Sequence, residues 1–286
     1  MVRMKFIDKL KNRLSYRELE PFCITSEIRE AYSTGSVCGG TLRGLNAVVT
    51  GGGSGIGFAI AKRLVVEGCT VVIIGRNAEK LGQAQEQLGN VSVYAWDVSK
   101  IQELDKALTA IEALFDSGKI DIWVNSHGIF SIYDRKRSFC NVPMEGLEEV
   151  MSINLNSTYA LNMYVANRLS VKNYKGHILN IASICAYMNS SKYTPYGMSK
   201  SGVVALTKEL GNWYNKKGII INAIAPGSCA TSMIDLGENV NIASPINVIK
   251  RVSMPEEIAA LAAIMVSPFG DSLYGAVVTA SACEQF

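Results

Sequence analysis

The chain has 286 residues, of which 48% are hydrophobic and 19% are charged, and its formal net charge is +3. These values suit one large globular domain with a short appendage, and the scattered basic residues do not predict a nucleic-acid surface. The seven cysteines are dispersed and form no C-x-x-C pair, so we predict no disulfide framework and no metal site, and we expect a reducing cytoplasm.

Residues 1–40 are predicted to be an N-terminal extension that contains an amphipathic helix. Its apolar side recurs at helical spacing, with Phe6, Ile7, Leu10 and Leu14. We favour packing of this helix on its own domain or on a neighbouring subunit, and contact with a membrane or a partner is the alternative. No apolar run approaches the ~20 residues that span a bilayer, so no membrane span is predicted. The glycine-rich stretch at 32–44 predicts a loop that leads into the main domain, 41–286.

The main domain alternates short apolar runs with helical stretches. The predicted strands are NAVVT at 46–50, VVIIG at 71–75, SVYAWDV at 92–98, IDIWVNS at 120–126, GHILNIAS at 176–183 and IIINAIAP at 219–226. The predicted helices include 58–68, 102–115, 145–169 and 199–215. Strands that are apolar on both faces and alternate with helices predict a doubly wound parallel sheet with helices on both sides, a three-layer α/β/α fold.

A glycine-rich turn, TGGGSGIG at 50–57, lies between the first strand and the first helix. Glycines let the backbone turn sharply and let a diphosphate approach N–H groups at a helix N-terminus, so this placement favours a dinucleotide site over a merely tight turn. The second strand ends at Gly75-Arg76, where an acidic residue would hold a ribose hydroxyl of NAD. Arg76 is instead a candidate clamp for the 2′-phosphate of NADP, or a solvated arginine that opens the next helix. Ser54 stands where a second basic residue would have strengthened the case for NADP.

A tyrosine and a lysine stand four residues apart in TPYGMSK at 194–200. A helix that starts near Pro195 would put Tyr196 and Lys200 on one face, one turn apart, with the ammonium close to the phenol.

Several motifs, taken together and in this order, resemble those of the single-domain branch of the short-chain dehydrogenase/reductases. They are TGGGSGIG, Asp97 in WDVS, Asn125-Ser126-His127-Gly128, Asn154 in SINL, Ser183 in NIAS, Tyr196 and Lys200 in YGMSK, and PGSCAT at 226–231. The resemblance covers residues 41–280. It implies a Rossmann-type domain, commonly a homotetramer, that uses NAD(H) or NADP(H) to interconvert a carbonyl and an alcohol, as 3-oxoacyl-acyl-carrier-protein reductases and related oxidoreductases do.

The resemblance implies a catalytic set of Asn154, Ser183, Tyr196 and Lys200. Tyr196 would exchange a proton with the substrate oxygen, and Ser183 would hydrogen-bond that oxygen. Asn154 would anchor a water that links Lys200 to solvent, and Lys200 would also hold the nicotinamide ribose. A free phenol titrates near ~10, and a nearby cation favours the phenolate. Taken singly, each residue also has a structural interpretation. Tyr196 and Lys200 would be an ordinary pair on a helix face, Ser183 would cap a strand end, and Asn154 would hydrogen-bond to the backbone.

The resemblance also implies the contacts of the cofactor. Asp97 would meet the adenine amino group, and Asn125 would steady the sheet edge beside the adenosine ribose. Thr231 and the backbone near Pro226 and Gly227 would bind the nicotinamide amide. The complete predicted cofactor set is Thr50, Gly51, Gly53, Ser54, Gly55, Ile56, Gly57, Arg76, Asp97, Val98, Asn125, Gly128, Tyr196, Lys200, Pro226, Gly227 and Thr231. NADP(H) is the preferred cofactor in this interpretation, and NAD(H) is the alternative.

Two positions depart from the family pattern. His127 stands where the family usually has alanine, and its ring would either crowd the adenosine ribose or point away to a backbone partner. We favour a structural role for His127 and for His177, because a lone histidine is more often a packing residue than a catalyst. Near the C-terminus, Ala282-Cys283 replaces the glycine pair of the family, which leaves the assembly and the pocket shape open.

The segments predicted to border the substrate carry no motif. Arg135-Lys136-Arg137 would attract an anionic substrate or simply be solvated, and 232–257 would form a lid over the substrate. The sequence thus predicts an oxidoreductase that acts on a small secondary alcohol or ketone and forms a homo-oligomer, a tetramer or a dimer, through 102–115 and 145–169 or through the C-terminal strand. The alternative is a cofactor-binding sensor or scaffold with little or no turnover.

Overall fold

The computed structural model describes residues 34–130, 142–187, 194–233 and 251–281. Its strands are β1 (Asn46–Thr50), β2 (Thr70–Gly75), β3 (Val91–Ala95), β4 (Ile122–Asn125), β5 (Gly176–Ile181), β6 (Ile219–Pro226) and β7 (Val277–Ala280). They form one sheet in the order β3-β2-β1-β4-β5-β6-β7, and all six adjacent pairs are parallel. This order confirms the predicted doubly wound α/β fold.

Helices cover both faces of the sheet. They are α1 (Gly55–Val66), α2 (Ala78–Leu88), α3 (Leu104–Glu112), α4 (Met144–Met151), α5 (Ser157–Val171), α6 (Thr194–Tyr214) and α7 (Pro255–Met265). Buried residues of α1, α2 and α7 share one core cluster, and those of α3 and α5 share another. In β2, Val71 and Ile73 join the first cluster while Val72 and Ile74 join the second. A strand that is apolar at every position is therefore buried on both sides, as the sequence predicts.

One predicted helix, 145–169, is interrupted in the structure. A π-turn at Ser152–Asn156 separates α4 from α5. The Ser157 and Thr158 hydroxyls donate to the carbonyls of Ile153 (2.5 Å) and Asn154 (2.8 Å). Side-chain hydroxyls therefore bind backbone carbonyls at the point where the regular α-helical hydrogen bonding is interrupted. The π-turn contains Asn154, a predicted catalytic residue, and changes the direction in which its side chain projects from the helix. Turns of this kind are frequent at functional sites.

The predicted loop at 32–44 is described from residue 34 and consists mainly of turns packed against α1. The Glu67 carboxylate accepts hydrogen bonds from Ser36 Oγ (2.6 Å) and from the Val37 N–H (2.7 Å). Cys38 and Leu42 are fully buried in the core. This loop is therefore an integral part of the described domain rather than a free linker.

Several predicted features lie outside the described residues. They are the N-terminal amphipathic helix, the Arg135-Lys136-Arg137 run, Ala282-Cys283 and the part of the predicted lid at 234–250. From residue 251 that segment is described, and the residues up to the start of α7 are buried. Arg251 forms a two-pronged ion pair with Glu257, at 2.7 and 2.8 Å. Within the described ranges, no helix has the length and apolar character needed to cross a bilayer, and no three His, Cys, Asp or Glu side chains converge as metal ligands.

Candidate active site

A cleft of about 880 Å³ opens at the carboxyl ends of the central strands. It lies where the strand order reverses between β1 and β4, the usual position for ligands in doubly wound sheets. Its walls include most of the predicted cofactor set: Gly51, Gly53, Ser54, Gly55, Ile56, Gly57, Arg76, Asp97, Val98, Gly128, Tyr196, Lys200, Pro226, Gly227 and Thr231. The structure thus brings residues that are up to 180 positions apart in the sequence to one cavity.

The glycine loop shapes one end of the cleft. A Cβ on Gly57 would lie 2.3 Å from the Gly51 carbonyl oxygen, so only glycine permits this close approach. Ser54 precedes α1 without a side-chain cap, and the first turn of α1 carries no acidic residue. The positive end of the helix dipole is therefore left to an anion, and this cradle fits the diphosphate of a nicotinamide dinucleotide.

The end of the cleft predicted to hold adenosine contains a cation and an anion. Arg76 is exposed and follows β2, and Lys80 lines the same wall one turn into α2. Asp97 Oδ1 accepts hydrogen bonds from the Ser99 hydroxyl (2.7 Å) and N–H (3.0 Å). Burial alone would raise the pKa of Asp97, but these bonds, helped by the Arg76 charge, hold it below its ordinary value. Asp97 is therefore an ionised acceptor in the cleft wall.

Three predicted residues are buried behind the cavity wall: Thr50, Asn125 and Asn154. The Asn125 side chain accepts a hydrogen bond from Trp123 Nε1 (2.7 Å) and donates to Asn180 Oδ1 (2.9 Å). The contact with Asn180 joins β4 to β5, so Asn125 stabilises the carboxyl edge of the sheet from its buried side.

Tyr196 and Lys200 lie one turn apart on α6, as their spacing predicts. Both are almost fully buried, and Lys200 Nζ lies 5.6 Å from the centre of the Tyr196 ring. Nζ donates to the Ile181 carbonyl at the end of β5 (2.8 Å). Burial lowers the pKa of Lys200 to about 8. The ammonium is thus held in a low-dielectric site close to the phenol.

Asn154 binds the backbone that follows β4. Its Oδ1 accepts from the Ile129 N–H (2.8 Å), and its Nδ2 donates to the Ile129 carbonyl (2.9 Å) and to Ser199 Oγ (3.1 Å). A Cβ on Gly128 would lie 3.4 Å from both Asn154 Oδ1 and Lys200 Nζ. Gly128 therefore lets the asparagine and the lysine meet the same stretch of backbone.

Ser183 follows β5 and faces the cleft. Its Oγ accepts a hydrogen bond from the Cys185 N–H (3.1 Å) and caps a short 3₁₀ turn. This bond uses a lone pair of the oxygen, so the hydroxyl proton is left for a substrate oxygen. The predicted strand-end cap and the predicted catalytic contact are compatible.

At the end of the cleft predicted to hold the nicotinamide, Thr231 Cγ2 lies 3.4 Å from the position of a Cβ on Gly55, so the loop after β6 contacts the glycine loop. The Gly227 N–H donates to the Ala280 carbonyl of β7 (3.0 Å), and proline has no N–H. The backbone of Pro226 and Gly227 can therefore offer a carboxamide only acceptors.

The His127 ring is hydrogen-bonded within the protein at both nitrogens. Nδ1 lies 2.7 Å from Thr50 Oγ1, and Nε2 lies 2.8 Å from Ser157 Oγ and 3.2 Å from Thr158 Oγ1. The ring therefore has partners in the protein, as one alternative held, and these are side-chain hydroxyls together with the Ile153 backbone. His177 lies elsewhere, with Nε2 3.5 Å from Asp271 Oδ1.

Sequence reasoning missed two residues that contact the catalytic set. Phe130 packs on Tyr196 with ring centres 4.2 Å apart, and Ser199 binds both Asn154 and the Tyr196 carbonyl (2.7 Å). Ser199 could have been found, because it lies three residues after Tyr196 on the same helix. Nothing in the local sequence marks the contact of Phe130.

The buried ammonium generates a prediction about stability. Lys200→Met should raise the free energy of unfolding at pH 7 by roughly 1–2 kcal/mol. The lowering of the Lys200 pKa to about 8 costs the folded state about 3 kcal/mol. Methionine removes this cost, but it also loses the hydrogen bond to the Ile181 carbonyl, which offsets part of the gain in stability. Since the folded pKa is the lower one, the penalty is full below pH 8 and fades between pH 8 and the ordinary value of 10.5. Urea unfolding over this pH range measures the difference.

The control for this measurement is Lys208→Met, an exposed position on the same helix, which should change the unfolding free energy by less than about 0.5 kcal/mol. A clear loss of stability in Lys200→Met would mean that the ammonium is a net stabilising group.

Known proteins resemble the chain along most of its length. It is 32% identical over 200 residues to 2-dehydro-3-deoxy-L-rhamnonate dehydrogenase (NAD(+)) of Sphingomonas sp. strain SKA58, covering 70% of this chain and 78% of that protein. It is 30% identical over 246 residues to acetoacetyl-CoA reductase of Rhizobium meliloti, covering 84% and 98%. The crystal structure of 3-ketoacyl-(acyl-carrier-protein) reductase from Brucella melitensis complexed with NADH superposes with a TM-score of 0.76 at 26% identity, covering 86% of this chain and all of that one.

A family model described as short chain dehydrogenase matches residues 45–252. This range runs from the residue before β1 to the segment before α7. It contains the glycine loop and the four predicted catalytic residues, Asn154, Ser183, Tyr196 and Lys200. The chain belongs to the short-chain dehydrogenase/reductase family.

Proposed function

We propose that Tyr196 is the general acid and base in the interconversion of ketone and secondary alcohol by this NAD(P)-dependent oxidoreductase. The observation that carries the proposal is the approach of the buried Lys200 ammonium to the Tyr196 ring, 5.6 Å from its centre. A bound nicotinamide supplies the hydride to the carbonyl carbon or accepts it from the alcohol. In the reductive direction Tyr196 gives its phenolic proton to the carbonyl oxygen, and in oxidation it takes that proton back.

Ser183 and Lys200 stabilise charge in this scheme. The Ser183 hydroxyl donates to the substrate oxygen, where negative charge develops as the hydride is delivered. Lys200 favours the phenolate that Tyr196 becomes after it gives up the proton. Asn154 holds the backbone at Ile129 beside Lys200, and in this scheme that contact keeps the segment in place while Tyr196 regains a proton.

The first experiment tests Tyr196→Phe. General acid and base catalysis contributes about 10²- to 10⁴-fold, so kcat should fall by that factor while the affinity for the nicotinamide cofactor changes little. Turnover is followed by nicotinamide absorbance with acetoacetyl-CoA, gluconate and simple ketones and alcohols, and the substrate that the wild type turns over is used for the variant.

Tyr174→Phe is the matched control, because Tyr174 precedes the amino end of β5, at the opposite edge of the sheet, and should keep wild-type turnover. Full activity in Tyr196→Phe would refute the proposed role. If the wild type binds cofactor tightly and turns over none of these compounds, the sensor or scaffold alternative is favoured.

We propose that the protein prefers NADP(H). The second strand ends without an acidic residue, and Arg76 and Lys80 both border the adenosine end of the cleft. A guanidinium can hold a 2′-phosphate with paired charge-assisted hydrogen bonds. The relative from Sphingomonas carries NAD(+) in its name and the Brucella structure contains NADH, so relatives alone do not favour NADP.

The cofactor proposal is tested with Arg76→Ala. Hydrogen bonds to charged groups contribute ~1.5–3 kcal/mol, so NADPH affinity should fall roughly 10- to 100-fold while NADH affinity stays within about twofold. Fluorescence titration of the nicotinamide measures both constants. Lys62→Ala removes an equal charge at an exposed position of α1 and should leave both affinities unchanged. Equal binding of NADPH and NADH by the wild type would contradict the proposal.

We further propose a homo-oligomer, a tetramer or a dimer, that works in the cytoplasm. Tyr159 and Tyr164 on α5 are 53% and 47% exposed, and exposed large aromatic side chains suit burial between subunits. Cys38, Cys69 and Cys229 are buried thiols, which suits a reducing compartment. Sedimentation velocity at micromolar concentration should show a species well above the 31.0 kDa of one chain, and a monomer would contradict assembly.

A further inference from the structure

The His127 imidazole connects two parts of the active site that are far apart in the sequence. On one side it meets Thr50 Oγ1 (2.7 Å), the last residue of β1 and the one before the glycine loop. On the other side it meets the hydroxyls of Ser157 (2.8 Å) and Thr158 (3.2 Å), the first residues of α5. Ser157 and Thr158 follow directly on the π-turn that carries Asn154.

The direction of these hydrogen bonds follows from the other bonds of the hydroxyls. Ser157 and Thr158 each donate their proton to a carbonyl of the π-turn, that of Ile153 and that of Asn154. Both oxygens therefore face the ring as acceptors, so Nε2 carries the proton and Nδ1 accepts from Thr50. Burial, with a smaller effect of the Lys200 charge, lowers the pKa of His127 to about 3. The ring is neutral, with one donor and one acceptor.

The same stretch of chain is held a second time, two residues later. Asn154 binds both backbone groups of Ile129, so the π-turn grips the 127–129 segment at its His127 ring and at its Ile129 backbone. Gly51 packs against this segment as well, since a Cβ there would lie 2.8 Å from the Ser126 carbonyl oxygen. The glycine loop, the strand end and the π-turn therefore form one connected unit around His127.

We propose that His127 is a positioning residue that fixes the π-turn, and with it the Asn154 carboxamide, relative to the cofactor loop. A small side chain at position 127 would not reach the hydroxyls of Ser157 and Thr158. The inference rests on the proposed role of Asn154 in returning a proton to Tyr196.

The proposal predicts a change in kcat with little change in binding. Without the ring, the π-turn loses the hydrogen bonds that residue 127 makes to Ser157 and Thr158, and a displacement of about 1 Å in a catalytic group costs up to ~100-fold in rate. We expect His127→Ala to lower kcat about 10- to 100-fold, while KM and the dissociation constant of the nicotinamide cofactor stay within about threefold.

Two further variants separate the two sides of the ring. In His127→Gln the side-chain amide reaches the position of Nε2 and can donate to Ser157 and Thr158, whereas in His127→Asn it reaches only the position of Nδ1 beside Thr50. Because the link to α5 is the one that positions Asn154, the glutamine variant should recover kcat to within about threefold of wild type, and the asparagine variant should resemble alanine.

His177→Gln serves as the matched control, because His177 is a half-buried histidine that contacts Asp271 outside the cleft, and it should keep wild-type kcat. Asn154→Ala separates this inference from the function on which it rests. If Asn154→Ala loses turnover while His127→Ala retains it, His127 has no positioning role and the proposed function stands. If Asn154→Ala itself keeps full turnover, the proposed role of Asn154 fails.

If His127→Ala does not fold, the other two variants decide the question. Equal kcat values in His127→Gln and His127→Asn would overturn the proposal, and recovery by glutamine alone would support it.

Discussion

The burial of the Lys200 ammonium is the constraint around which the active site is built. A charge removed from water is costly unless partners surround it. The Ile181 carbonyl accepts one of its hydrogen bonds, the Tyr196 ring lies nearby, and Gly128 leaves room for close approach of the backbone. Each of these groups comes from a different element, so the ammonium requires β5, α6 and the segment after β4 to meet at one point.

A buried polar network keeps those elements in register beneath the cleft. Asn180 on β5 contacts Asn125 on β4, Asn162 on α5 and Thr207 on α6, with distances of 2.9 to 3.2 Å. Buried amides hydrogen-bond in only a few geometries, so a satisfied network specifies the relative positions of two strands and two helices more strictly than apolar packing does. Tyr196 and Lys200, two of the predicted catalytic residues, lie on α6, one of the elements that this network positions.

The sequence predicted the parts of this arrangement that depend on local pattern. Strands such as 219–226 were recognisable because a strand buried on both faces is apolar throughout, and Tyr196 and Lys200 were placed on one helix face by their spacing alone. The π-turn at 152–156 was not predicted, because its cause is a set of hydroxyl bonds that leave the helical periodicity of the sequence unchanged. The direction of the His127 ring was also out of reach, since its partners are 77 and about 30 positions away in the chain.

The two ends of the cleft differ in how their side chains are fixed. Around the predicted catalytic groups the side chains of Asn154 and Ser183 are hydrogen-bonded to backbone groups. At the end predicted to bind substrate the described wall includes the apolar residues Ile129, Phe130 and Ile184. Phe130 covers one face of the Tyr196 ring and so excludes water from that side, which strengthens the field of the nearby ammonium. Phe130 thus bears both on the shape of this part of the cleft and on the electrostatics of the phenol, and a change of residue there would alter the two together.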